Sequence, residues 1–377
     1  MGMSRWALCL LFCCAGVGIA QPGAMPAATD PQAPDQNQPA LSHRPPPNTA
    51  APQGAIKLDV VVTDGAGQGV AGLQQQDFTL LDNKKPQPIL SFRAVDGSTG
   101  NGTAADPPVE VILLIDATNN SLTRVAYERT DIERFLRQNG GHLVQPVSLM
   151  IFSEQGVKVQ PQPSTDGNQL AQVLDKSGAT MHVIQRSGGY DAIERVELSL
   201  KTLRSIVAVE ASKPGRKMLI WIGPGWPMLE GQGYRASDAT KRAQFNMIVD
   251  ATRTLREARI TMYSVNSFDP QSSGVLRAGF YKSFLKGVPS ARQVESGDMA
   301  VPVFAIHSGG RVLERAEDLV DQLNSCVAEA KFYYTIGFDP PSADHVDEYH
   351  ELELKVDKPQ VTARTNAGYY SEPLAKP

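Results

Sequence analysis

Four apolar runs, VEVILLID (109–116), PVSLMIF (146–152), KMLIWIG (217–223) and ITMYSV (260–265), alternate with segments of helical spacing. A run that is apolar at every position, rather than at every second one, reads as a strand buried on both faces. Between the runs, apolar residues recur three and four apart: Leu122, Val125, Ala126, Ile132, Phe135 and Leu136 after the first, and Ile193, Val196, Leu200, Leu203 and Val207 before the third. Phe245, Ile248, Val249, Thr252 and Leu255 give the same spacing within 238–258, and a last helix is expected over 318–330. Strands that alternate with helices imply a parallel sheet with helices packed on both sides. The expected fold is therefore a doubly wound, Rossmann-like α/β domain over 107–330. Such sheets present ligand sites at the carboxyl ends of their strands, and Asp116 stands at one of these ends.

Period-2 patterning takes over on either side of this domain. IKLDVVVTD puts Ile56, Leu58, Val60 and Val62 on one face, and KFYYTIGFD does the same with Phe332, Tyr334, Ile336 and Phe338. DFTLLDN, PILSFRAVD, YHELELKV and VTART supply further strands. Neither flank is large enough to be stable alone. The segments 56–96 and 331–372 are thus expected to pair as one small antiparallel β-sandwich.

Ahead of the sandwich, Arg5, the apolar run 6–19 and Gly18-Ile19-Ala20 have the layout of a secretory signal over 1–20. A Pro-, Ala- and Gln-rich tether over 21–55 follows. The chain is therefore expected to be exported, to the periplasm, the cell envelope or the medium, with no transmembrane segment left once the signal is removed. Three of its four cysteines (Cys9, Cys13 and Cys14) lie in that signal, so no disulfide framework is expected. Cys326 falls on the apolar side of a helix and reads as a buried thiol. A net charge of -4 gives no support to a nucleic-acid partner, which would call for clustered Lys and Arg.

Asp116-Ala117-Thr118-Asn119-Asn120 places an acid, a hydroxyl and an amide at alternate positions of one loop. Oxygens so placed can turn toward one point, as hard divalent cations require. ILLID followed by this loop resembles the von Willebrand factor A domain. The flanking motifs IKLDVVVTD, GLQQQDFTLLDNKKPQPILSF, GRKMLIWIGPGWP, YYTIGFDPP and TNAGYY extend the likeness, over about 56–372, to a group of exported proteins related to that domain and common in acidobacteria. The resemblance implies a metal-ion-dependent adhesion site that takes Mg²⁺ or Mn²⁺ and completes its shell with an acid of a protein partner. Asp116 and Thr118 match the first two ligands, Asn120 stands for the third, and Ser187 of SGGYDAI for the next. The family's second acid is replaced by Gly223-Pro224-Gly225-Trp226, and the loss of one anionic ligand weakens a hard-cation site. The site is therefore degenerate.

Other clusters have plainer readings. Asp344–His350 is expected to be a solvated turn before a strand. The Gly223–Pro227 segment lacks the Gly-Lys-Ser/Thr ending of a phosphate loop, although Trp226 is expected to serve as an exposed anchor for a partner. No Gly-x-Ser-x-Gly elbow occurs. The expectation is a non-enzymatic protein-binding module. The alternatives are a scaffold with a vestigial metal site, whose β unit binds by edge pairing, and a hydrolase.

Overall fold

The computed structural model describes residues 55–96, 107–160, 162–177, 189–228, 236–266, 279–314 and 318–373. The signal expected over 1–20 and all but the last residue of the tether lie outside these residues, as does Ser187.

The central sheet holds β5 (Glu110–Asp116), β6 (His142–Ser153), β7 (Gly156–Val159), β8 (Ser164–Asp166), β9 (Lys217–Ile222), β10 (Ile260–Val265) and β11 (Val312–Leu313). Its order is β11-β10-β9-β5-β6-β7, with β8 also pairing β6. The apolar runs form the parallel middle, where every residue of β5, β9 and β10 is buried. The sheet is mixed rather than purely parallel, because β7 and β8 run antiparallel to β6. Neither strand has a continuous apolar run or a clean alternation to betray it in the sequence. Helices α1 (Leu122–Leu136), α2 (Gly167–Ser177) and α6 (Leu319–Val327) bury one face of the sheet. The other is covered by α3 (Gly189–Ala211), α4 (Asp238–Glu257) and α5 (Val301–His307).

With β8 left aside, the six strands lie 3-2-1-4-5-6 in chain order across the sheet, so the winding reverses between β5 and β9. In open α/β sheets ligands bind outside the carboxyl ends of the strands at such a reversal. Asp116 ends β5, and Gly223 follows β9.

The flanking segments form two four-stranded antiparallel sheets. One has the order β14 (Val361–Arg364), β1 (Ile56–Asp64), β12 (Phe332–Phe338), β4 (Ser91–Asp96). The other has β15 (Gly368–Ser371), β13 (Glu348–Val356), β2 (Phe78–Asp82), β3 (Lys85–Gln87). The period-2 faces meet as expected: Ile56, Leu58, Val60 and Val62 pack with Tyr334, Ile336 and Phe338 over Phe78, Leu80 and Leu352.

The sandwich is fastened to the α/β domain from both of its sheets. Tyr333 and Val95 point away from the sandwich core into the α1–α6 layer, while Tyr370 enters the α4–α5 layer. Arg259 grips Asp59 with Nε at 3.0 Å and Nη2 at 2.6 Å, a bidentate pair with both side chains largely buried. Glu329 accepts from Tyr263 at 2.7 Å and pairs with Arg311 (2.7 Å) and with Arg364 of β14 (2.5 Å). A carboxylate so enclosed needs partners to offset its desolvation, and here they come from both halves of the fold.

Candidate functional site

Alternation along β5 puts Asp116 on the same face as Ile112 and Leu114, the face covered by α3 and α4. β9 brings Trp221 to that face in the register Leu114↔Trp221. Asp116 is fully buried there. Its Oδ1 accepts from the backbone N–H of Thr118 (3.2 Å) and of Asn119 (2.9 Å), and from Asn119 Nδ2 (3.2 Å). Its Oδ2 accepts from Asn119 Nδ2 (2.9 Å) and Trp221 Nε1 (2.9 Å). Burial pushes the Asp116 carboxyl up, and the donors from Asn119, Trp221 and Thr118 hold it down.

The rest of the loop is also turned inward. Thr118 Oγ1 faces the Phe152 carbonyl at 3.5 Å, and Asn119 Nδ2 donates in addition to Ser199 of α3 at 3.0 Å. Asn120 Oδ1 accepts from Ser121 N (3.0 Å), and its Nδ2 donates to Glu128 Oε2 (2.9 Å). Ser121 caps α1 by accepting from Arg124 N. Glu128, nearly two turns into that helix, is 1% exposed. Burial, reinforced by the charge of Asp116, pushes its carboxyl up to about 8 against the hydrogen bond from Asn120.

Among the described residues, this arrangement does not fit a hexacoordinate divalent cation. Such an ion needs about six oxygens with lone pairs aimed at one point near 2.1 Å. Both oxygens of Asp116 are instead met by N–H donors, whose partial positive charge occupies the place of a metal. The Thr118 hydroxyl faces β6, and the Asn120 carbonyl is spent on the cap of α1. Gly223 packs against another side of the loop. A Cβ added to it would lie 3.0 Å from Asp116 Cβ and 3.6 Å from Asn120 Nδ2, and its φ of +134° suits glycine. Among the described residues, no group of three or more His, Cys, Asp or Glu side chains could hold a metal.

Trp226 is not the exposed anchor expected of it. It is 6% exposed, with its ring edge-on to Trp221 (centroids 5.3 Å apart, interplanar angle 81°) and 6.1 Å from Phe304. The left-handed Gly225 (φ +74°) turns the chain over α5, and its missing Cβ makes room for Val301. Asn119, Glu128, Ser199 and Trp221 complete the site, and the loop spacing did not point to them. A tryptophan inside KMLIWIG was the one available signal, because indole N–H needs an acceptor when buried.

The Asp344–His350 segment is only partly the solvated turn expected. His345 is exposed, but His350 is buried, bonded through Nδ1 to Asp82 at 2.8 Å and stacked on Tyr369, which also donates to Asp82. This triad ties β2, β13 and β15 together inside the sandwich. Cys326 is fully buried as expected, and burial pushes its thiol up to about 12, far from thiolate reactivity.

A doubly wound sheet with helices on both faces, and an acid-led loop at its reversal point, beside a β-sandwich, is the fold expected from the resemblance to the von Willebrand factor A domain. No family model matches the sequence, and comparison with curated proteins finds no match. Among solved structures the chain is similar to an aerotolerance-related membrane protein of Bacteroides fragilis, at 13% identity and a TM-score of 0.32, over 59% of this chain and 98% of that one. It is also similar to the SpRpn10 VWA domain (12%, 0.25, over 58% and 96%) and to the pilus adhesin SpaC of Lactobacillus rhamnosus GG (11%, 0.32, over 84% and 48%). No helix among the described residues is long and apolar enough to cross a membrane.

Proposed function

We propose that this is an exported, non-enzymatic module that binds a protein partner at the carboxyl end of its central sheet without a metal. The observation that carries the reading is the use made of Asp116: its carboxylate is consumed in fixing the shape of its own loop. A loop held this way is pre-organised, so little ordering entropy is lost when a partner docks. The side chain it presents is apolar, for Leu122, the first residue of α1, is 53% exposed. Export rests on the signal-like leader. The absence of an enzymatic role rests on the inert Cys326 and the enclosed His350.

Photo-crosslinking in the source cell tests the reading. A photoreactive amino acid replaces Leu122 in one variant and Val144 in another; Val144 is 63% exposed near the opposite end of the sheet. Adducts with another protein from position 122, and none from 144, are expected. Equal adducts at both positions, or none at 122, would count against the assignment.

A further inference from the structure

We propose that a notch at the β3 edge of the sandwich binds a neutral saccharide. Strand β3 pairs β2 only as far as Leu80↔Gln87, so among the described residues no strand covers the β3 side of Phe78. The space left there measures about 460 Å³, within the usual range for small-molecule sites. A 3₁₀ turn, Gln75–Asp77, gives it its shape. Phe78 N donates to Gln75 O, and Gln75 Nε2 donates to Ile89 O at 3.0 Å. The backbone N–H that a continuing strand would need at Phe78 is therefore already taken, and Gln75 bridges to the chain leaving β3. An added peptide strand cannot run on along β2, whereas a compact ring can enter the notch.

The lining sets the chemistry of the occupant. Among the described residues, no charged side chain lines the notch; its polar side chains are Gln75, Gln76, Thr79 and Gln87. The first three are exposed and Gln87 is half-buried, so an entering molecule can reach them. An amide and a hydroxyl both donate and accept, and so match the hydroxyls of a sugar ring, which do the same. A carboxylate or an ammonium would leave water for a wall without a countercharge, which is costly. Pro86 and the half-buried Ile89, with the buried Phe78, offer apolar surface to the C–H groups of the ring.

Calorimetric titration of the full chain tests the proposal. The probes are the methyl glycosides of glucose, galactose and mannose, glucuronate and glucosamine as charged sugars, and acetyl-tetraalanine amide as an extended peptide. At least one neutral glycoside is expected to bind at millimolar concentration, about tenfold or more tightly than either charged sugar, and the peptide not at all. Gln76→Ala combined with Gln87→Ala should weaken binding about tenfold or more, the value of two neutral hydrogen bonds. Thr79→Trp, at an exposed strand position that suits an aromatic, should fill the notch and abolish binding with the unfolding midpoint preserved. Equal binding of neutral and charged sugars, binding of the peptide, no binding of any glycoside, or undiminished binding by both variants would overturn the proposal.

Discussion

Asp116 and Glu128 sit within one hydrogen-bonded network, and the network tells them apart. Asp116 has four donor groups around it, whereas Glu128 has Asn120 alone and an Oε1 without a partner. Asp116→Ala strands the Trp221 and Asn119 donors in the interior and is expected to cost on the order of 3 kcal/mol, measurable by urea unfolding. Glu128 is expected to dominate the local pH dependence. Its folded pKa of about 8 lies above the ordinary 4.5, so the folded chain keeps a proton that the unfolded chain releases. Stability from this group is complete below about pH 4.5, declines as pH rises toward about 8, and is flat above that. Glu128→Gln removes the ionisation. Its unfolding midpoint should match the parent at pH 4.5 and exceed it at pH 8, and a constant difference across that range would contradict the assignment. Trp226→Ala should behave as a core truncation, costing about 3–5 kcal/mol rather than weakening partner capture at unchanged stability.

At the scale of elements, the strand-to-helix turn after β9 is what most separates this chain from a metal-binding A domain. Gly223 needs its left-handed backbone and its missing Cβ, so Gly223→Asp, which introduces an acid after β9 as in the von Willebrand factor A domains the chain resembles, is expected to destabilise the fold by a few kcal/mol without creating a response to Mn²⁺. A Mn²⁺-dependent rise in the midpoint of that variant would show that the loop reopens readily. The elements most legible in the sequence were those with a single dominant period. VEVILLID, KMLIWIG and ITMYSV read as buried strands and are so, whereas KFYYTIGFD reads as half-buried, yet β12 is buried from Tyr333 to Phe338 because its second face packs on the α/β domain. The antiparallel β7 and β8 were not legible, because GVKV and STD are too short to show a period and owe their place to pairing with β6. In the site, the sequence located the loop and the missing acid. It could not show that Asn119 folds back on Asp116 or that Trp221 donates to it, since both depend on register and packing across strands far apart in the chain. Trp226 was misjudged for a related reason: the turn of Gly225 over α5, invisible in a Gly-Pro-Gly string, directs its ring inward.

On the scale of the whole molecule, the sandwich and the α/β domain share cores and charges. Tyr333, Val95 and Tyr370 each belong to a strand of one and the interior of the other. Arg259 with Asp59, and Glu329 with Arg364, bind the halves through largely buried ion pairs. Breaking such a pair from one side leaves an uncompensated charge, so Arg259→Ala is expected to lower stability by about 3 kcal/mol or more. Thermal unfolding should remain one cooperative transition followed equally by tryptophan fluorescence, which reports the α/β domain through Trp221 and Trp226, and by far-ultraviolet circular dichroism. Two resolved transitions would mean that the halves are independent.

The central claim is that the Asp116 loop is held by its own donors and works without a metal. Thermal unfolding of the full chain and of Asp116→Ala, each in millimolar Mg²⁺, in Mn²⁺ and in EDTA, tests it most directly, because a ligand bound to the folded state alone raises the midpoint. The account predicts the same midpoint for the parent chain in all three conditions, and a lower midpoint for Asp116→Ala that is likewise indifferent to metal. A rise with Mn²⁺ or Mg²⁺ in the parent that disappears in Asp116→Ala would contradict it, and would make metal-dependent capture of an acidic partner the working mechanism instead.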